Sequence, residues 1–120
     1  IIDDAIKLLP NEPMLHHTLG LWQVRNKEGD KALKSLQTAH NLDPNDAQFA
    51  YVYAVALAQT NPKQAIIVLE ESLSHHTGDI QTLQALAHYT STQGDTHKAK
   101  IYQQRAQEIW RVQVIPQGNQ

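Results

Sequence analysis

The chain contains no cysteine. Disulfides, thiolate zinc sites, covalent c-type haem attachment and a cysteine nucleophile are therefore excluded within these residues. An excess of one charge is also missing. Ten Lys and Arg against twelve Asp and Glu leave a formal charge of −2. The cations are spread from Lys7 to Arg111 without a basic block, so the electrostatic footprint of a nucleic-acid binder is absent. The longest apolar run, Phe49 to Ala58, has ten residues, and a membrane span needs about 20. The chain opens on Ile1-Ile2-Asp3-Asp4-Ala5, which reads as the middle of a helix and not as a signal peptide. We therefore expect a piece of a longer polypeptide, with any targeting signal upstream. Cysteine-free domains occur in cytoplasm and periplasm alike, and our reading leans to the bacterial periplasm.

What is present suits a single folded domain. The 120 residues are 41% apolar and 18% charged, enough apolar material for a core and too little net charge to force disorder. Aligning the chain on itself gives an offset of 33 or 34 residues. Gly20, Ala54 and Ala87 fall in register, as do Leu19, Tyr53 and Leu86. Two further small-residue columns are Ala32/Ala65/Ala99 and Ala5/Ala39/Ser72/Ala106. Small side chains facing each other let two helices approach to about 8–10 Å. Leu19, Leu36, Leu69 and Leu86 fill the space between them at helical spacing.

The boundaries are signalled by chemistry. Asp43-Pro44-Asn45-Asp46 ends one hairpin and caps the next helix. Asn61-Pro62 puts a cap before a helix-opening proline, and Gln64 stands where it would complete a capping box. Gly29-Asp30 and Gly94-Asp95 read as turns inside hairpins, and Thr77-Gly78-Asp79 as a turn between hairpins. Seven helices are predicted, one ending at Leu9 and the others over 13–26, 30–42, 47–59, 62–75, 79–93 and 95–112. The units are a partial repeat over 1–10, repeats over 13–44, 47–77 and 79–112, and a flexible tail over 113–120.

These columns resemble the tetratricopeptide repeat (TPR). Leu19-Gly20, Ala32, Leu36, Ala39 and Pro44 carry the resemblance best. It implies an all-α solenoid of helical hairpins in a right-handed superhelix, with about three hairpins plus an N-terminal half-hairpin. Some positions depart from the pattern. The usual early aromatic is replaced by His16, Ala50 and Leu83, the later tyrosine by Gln23, Leu57 and Thr90, and a bulky residue by Gln103, beside which Tyr102 is placed to compensate. The run from Phe49 to Leu57 looks like the C-terminal repeat region of bacterial multihaem cytochrome c–TPR proteins. That narrower resemblance implies haems upstream of this chain.

Catalysis and metal binding find little footing. The seven histidines stand at 16, 17, 40, 75, 76, 88 and 97, and none is three or four residues from another. Adjacent helical residues diverge by about 100°, so His16-His17 and His75-His76 cannot chelate as pairs. Asp3-Asp4 and Glu70-Glu71 diverge likewise and are assigned to solvated faces. No cofactor, metal or enzymatic activity is expected. Trp22 and Tyr89 occupy equivalent places and are read as packing residues, and Trp110 as a cover for the end of the core.

The TPR resemblance implies that the first helix of each hairpin lines a concave surface that holds a peptide or protein. The helical period assigns to it Met14, His17, Leu21 and Arg25 from the first unit, Gln48, Tyr51, Val55 and Gln59 from the second, and Gln81, Gln84, His88 and Thr92 from the third. Arg25 is the one cation in this set and Asn is absent from it. The set therefore lacks the Lys/Asn/Arg carboxylate clamp of chaperone-binding TPR proteins. The function expected is non-catalytic protein interaction within a longer polypeptide. The alternative is a structural spacer or oligomerisation element, with self-association through the apolar face of the first helix.

Overall fold

A computed structural model describes residues 1–113. These fold as seven helices in the order α1 (Ile2–Leu8), α2 (Pro13–Arg25), α3 (Gly29–Leu42), α4 (Ala47–Ala58), α5 (Pro62–His75), α6 (Ile80–Thr92) and α7 (Thr96–Gln113), with no strand among the described residues. The predicted helices match to within one residue at every end. The expected tail lies outside the described residues, apart from Gln113, which is the last residue of α7.

The pairs α2–α3, α4–α5 and α6–α7 form hairpins, and each packs on the next through α3–α4 and α5–α6, with α4 also touching α6. The radius of gyration is 16.3 Å, against about 13.6 Å for a spherical domain of this size. The excess reflects stacking along one axis. The fold is an all-α, TPR-like stack of helical hairpins.

The small columns work as close contacts. Ala32, Ala54, Ala65 and Ala99 are all buried. At Gly20 a built Cβ would stand 2.6 Å from Leu36 Cδ2 and 2.7 Å from Leu36 Cγ, so any side chain there would force Leu36 to shift. Leu36, Leu69, Leu83 and Leu86 are fully enclosed between hairpins.

Helix ends follow the sequence with two differences. Asp46 Oδ1 accepts from Phe49 N at 2.9 Å, and Asn61 Oδ1 from Gln64 N at 3.1 Å, each satisfying a free helix-start N–H. The Gln64 side chain makes no return bond, so the capping box is half formed. The turn of the first hairpin also sits earlier than Gly29-Asp30. Lys27 adopts φ +61°, and Gly94 in the third hairpin φ +89°. In both, the following amide reaches back five residues, Glu28 N to Gln23 O at 2.8 Å and Asp95 N to Thr90 O at 2.9 Å. The same left-handed helix termination is thus made by Gly in one hairpin and by Lys in the other. Gly29 opens α3 instead.

Candidate partner-binding surface

The first helices α2, α4 and α6 present most of the assigned set to solvent. Met14, Leu21, Arg25, Gln48, Gln59, Gln81, Gln84, His88 and Thr92 are exposed, and Tyr51 and Val55 are half-buried. Tyr51 leans on the core, and burial, with a smaller contribution from the Tyr51 phenol, pushes Tyr89 above its ordinary value.

His17 departs from its assignment. It is 7% exposed, and its ring lies on Phe49 of α4 at a centroid distance of 4.8 Å. His40 of α3 is stacked on Tyr53 at 5.6 Å. The two histidines therefore plug the joint between the first two hairpins. Neither buried Nδ1 has a hydrogen-bond partner. Burial pushes both imidazoles below their ordinary value, with Asp46 pulling His17 and Glu71 pulling His40 the other way. Helical period alone placed His17 on the inner face. Phe49 of α4 covers that position.

Two other readings change. Glu70 is not merely solvated, because its Oε2 accepts from Tyr102 Oη at 2.7 Å and from Lys98 Nζ at 3.1 Å. This ties α5 to α7, and burial together with the Glu70 hydrogen bond pushes the Tyr102 phenol up to about 12. Tyr102 thus takes the packing role that Gln103, exposed beside it, leaves open. Trp22 is 49% exposed and so is not a packing residue. A seven-residue α1 is about 10 Å long and cannot cover the length of α2, about 20 Å. A ring N–H on His76 Nε2 donates to Asn45 O at 2.6 Å, tying the end of α5 to the loop before α4. Gln23, in place of the usual tyrosine, is buried and accepts from Ser35 Oγ at 2.7 Å.

The sequence reading missed a groove of about 860 Å³ between α6 and α7. Its walls include Gln84, Ser91, Lys100, Gln103, Gln107 and Trp110. The signal was available, because Gln103 and Gln107 stand in columns held by Leu69 and Leu73 one unit earlier.

No family model and no curated protein matches the chain. Solved structures do resemble it. A double mutant of MamA from strain RS-1 superposes with a TM-score of 0.84 at 22% identity, covering 96% of this chain and 65% of that one. A crystal structure of MamA gives 0.84 at 20% identity over 92% and 66%. MamA residues 41 to the end from Desulfovibrio magneticus RS-1 gives 0.82 at 22% over 94% and 64%. The chain thus spans about 65% of the length of these solved chains. The likeness establishes the TPR-like fold, and none of these structures is described as a cytochrome.

Proposed function

We propose that this chain is a non-catalytic interaction module, part of a longer polypeptide, that holds a peptide or protein partner along α2, α4 and α6. The observation that carries the reading is the run of exposed polar and apolar side chains on successive first helices, from Met14, Leu21 and Arg25 through Gln48 and Gln59 to Gln81, Gln84 and His88. A rigid stack offers such a surface already ordered, which lowers the entropy lost on binding. Tyr51, central and half-buried with its ring packed against the core, is the natural anchor. With a partner identified by affinity capture, calorimetry on Tyr51→Ala and Lys34→Ala tests the surface, each variant first checked by circular dichroism. Tyr51→Ala should weaken binding by at least ~1 kcal/mol and Lys34→Ala by little. Equal affinities would move the site to the second helices.

A second reading, an oligomerisation element, is favoured by α1. Ile1 and Leu8 are 99% and 81% exposed, an apolar end that a second copy would cover. Sedimentation velocity across a concentration series tests it. A chain that stays monomeric at the highest concentration would remove this reading.

A further inference from the structure

The seven histidines fall into three kinds by their surroundings. His75, His88 and His97 are exposed. His16 and His76 donate from Nε2 to backbone carbonyls, Pro10 O at 2.7 Å and Asn45 O at 2.6 Å. Imidazolium donates there as readily as imidazole, so both bonds survive acid. His17 and His40 are the third kind. Each lies on an aromatic ring across the first joint, Phe49 and Tyr53 of α4. Each also encloses an Nδ1 that has no hydrogen-bond partner among the described residues.

The neutral ring can carry its one N–H on Nε2 and leave Nδ1 as a bare lone pair. Imidazolium carries an N–H on both nitrogens. A proton gained in the closed joint therefore sets a charged donor before no acceptor. The faces of Phe49 and Tyr53 attract a cation, but neither gives the Nδ1 hydrogen an oxygen or nitrogen to meet. Two carboxylates oppose this cost. Asp46 pulls on His17, yet its Oδ1 already caps Phe49 N, and Glu71, which pulls on His40, is exposed to water. Burial outweighs both. Asp43, at the end of α3, gives His40 Nδ1 no bond. Asp3, Asp4 and Lys7 of α1, Arg25 of α2, and Lys31 and Lys34 of α3 are exposed, and α4 carries no charged residue. One step of the repeat later, the columns of His17 and His40 hold Tyr51 and Leu73, neither of which gains a proton as acidity rises.

A hairpin in a stack touches only its neighbours, so a weakened joint divides the stack at that point, whatever stands on either side. We propose that the first joint is an acid-released latch, at which a proton taken up by His17 or His40 parts α2–α3 from α4–α5 while the second joint stays closed. Closure is fully supported above about pH 6.5, the ordinary histidine value, and that support is lost as pH falls below it. Opening separates α2 from α4, and with them any surface the two share. The latch does not rest on the peptide-binding reading.

The absence of cysteine lets spin labels be placed on chosen pairs. Lys34, Ile67 and Ile101 stand in one exposed column on α3, α5 and α7. Lys34→Cys with Ile67→Cys spans the first joint, and Ile67→Cys with Ile101→Cys spans the second. Pulsed electron paramagnetic resonance reads both distance distributions at pH 7.5 and 5.0, with helix content followed by circular dichroism. The separated population of the first pair should rise at least about threefold in acid, and the second pair should stay as it was. In His17→Phe/His40→Phe, whose rings can still lie on Phe49 and Tyr53, the rise should vanish. Should the double variant fail to fold, each single variant should still reduce it. A first pair unmoved at pH 5.0, both pairs moving alike, or a full rise in the histidine variants would overturn the proposal.

Discussion

The joint between the first and second hairpins and the joint between the second and third are related by one step of the repeat, yet they are made of different materials. In the second joint Leu69, Leu73, Leu83 and Leu86 form an apolar cluster. In the first, His17 lies on Phe49 and His40 on Tyr53, and each histidine buries an Nδ1 without a partner. Both joints exclude water, but only the first buries groups able to gain a proton near neutral pH. The same fold can therefore hold one interface that is indifferent to acidity and another that weakens with it.

The largest effect should come from the leucine joint. Leu83 is fully buried, and Leu83→Ala should lower unfolding stability by about 2–5 kcal/mol in urea denaturation, through lost transfer energy and the cavity left behind. A loss under about 1 kcal/mol would mean that α6 resettles on α5 and that the second joint is softer than its packing indicates.

Gly20→Leu comes next. Leu36 stands where the new side chain must go, so overpacking should destabilise by about 1–3 kcal/mol. Gly20→Ala should already be unfavourable. A neutral or stabilising Gly20→Ala, measured by the same denaturation, would show that Leu36 can move aside and that the α2–α3 contact is looser than its geometry.

The histidine joint is sharpened by pH. His17 and His40 have folded-state values below the ordinary one of about 6.5, set mainly by burial. The unfolded chain then binds more protons than the folded chain as pH falls. This part of the stability is complete above about pH 6.5 and is lost as pH drops from there toward the lowered values. Wild type should lose more stability between about pH 7.5 and 5.5 than His17→Phe, whose ring can still lie on Phe49. Parallel pH profiles would remove His17 from the account.

The smallest effect compares the two left-handed turns. Lys27 carries a Cβ at φ +61° where the third hairpin uses Gly94. Lys27→Gly should stabilise by about 0.5–1 kcal/mol, read as a shift in the urea midpoint at constant slope. A destabilised variant would show that the entropy glycine adds to the unfolded chain outweighs the strain it relieves.

Sequence periodicity disclosed much of this molecule because helix formation and hairpin packing are short-range. Apolar spacing, the Asp46 and Asn61 caps and the small columns at Gly20, Ala54 and Ala87 act within about 35 residues. They placed every helix end to within one residue. The surface was less legible. Of the residues assigned to the inner face, nine are exposed, Tyr51 and Val55 are half-buried, and His17 is enclosed. A helical wheel says which side of α2 a residue occupies but not how far α4 leans across it. The turn at Lys27 was misplaced for a related reason: glycine is the usual mark of a left-handed residue, and here lysine adopts it under the pull of the Glu28-to-Gln23 hydrogen bond.

By itself, then, the sequence determined the all-α class, the number and order of hairpins and the residues at their crossings, because each follows from side-chain size and period along one or two helices. Tertiary structure alone decided that His17 and His40 fill a joint, that Glu70 binds Tyr102 and Lys98, that Trp22 stays half-exposed, and that a groove opens beside Gln103. These depend on the angle and offset between successive hairpins. That geometry is the sum of many weak packing contacts between residues far apart in the chain, and no local pattern encodes it.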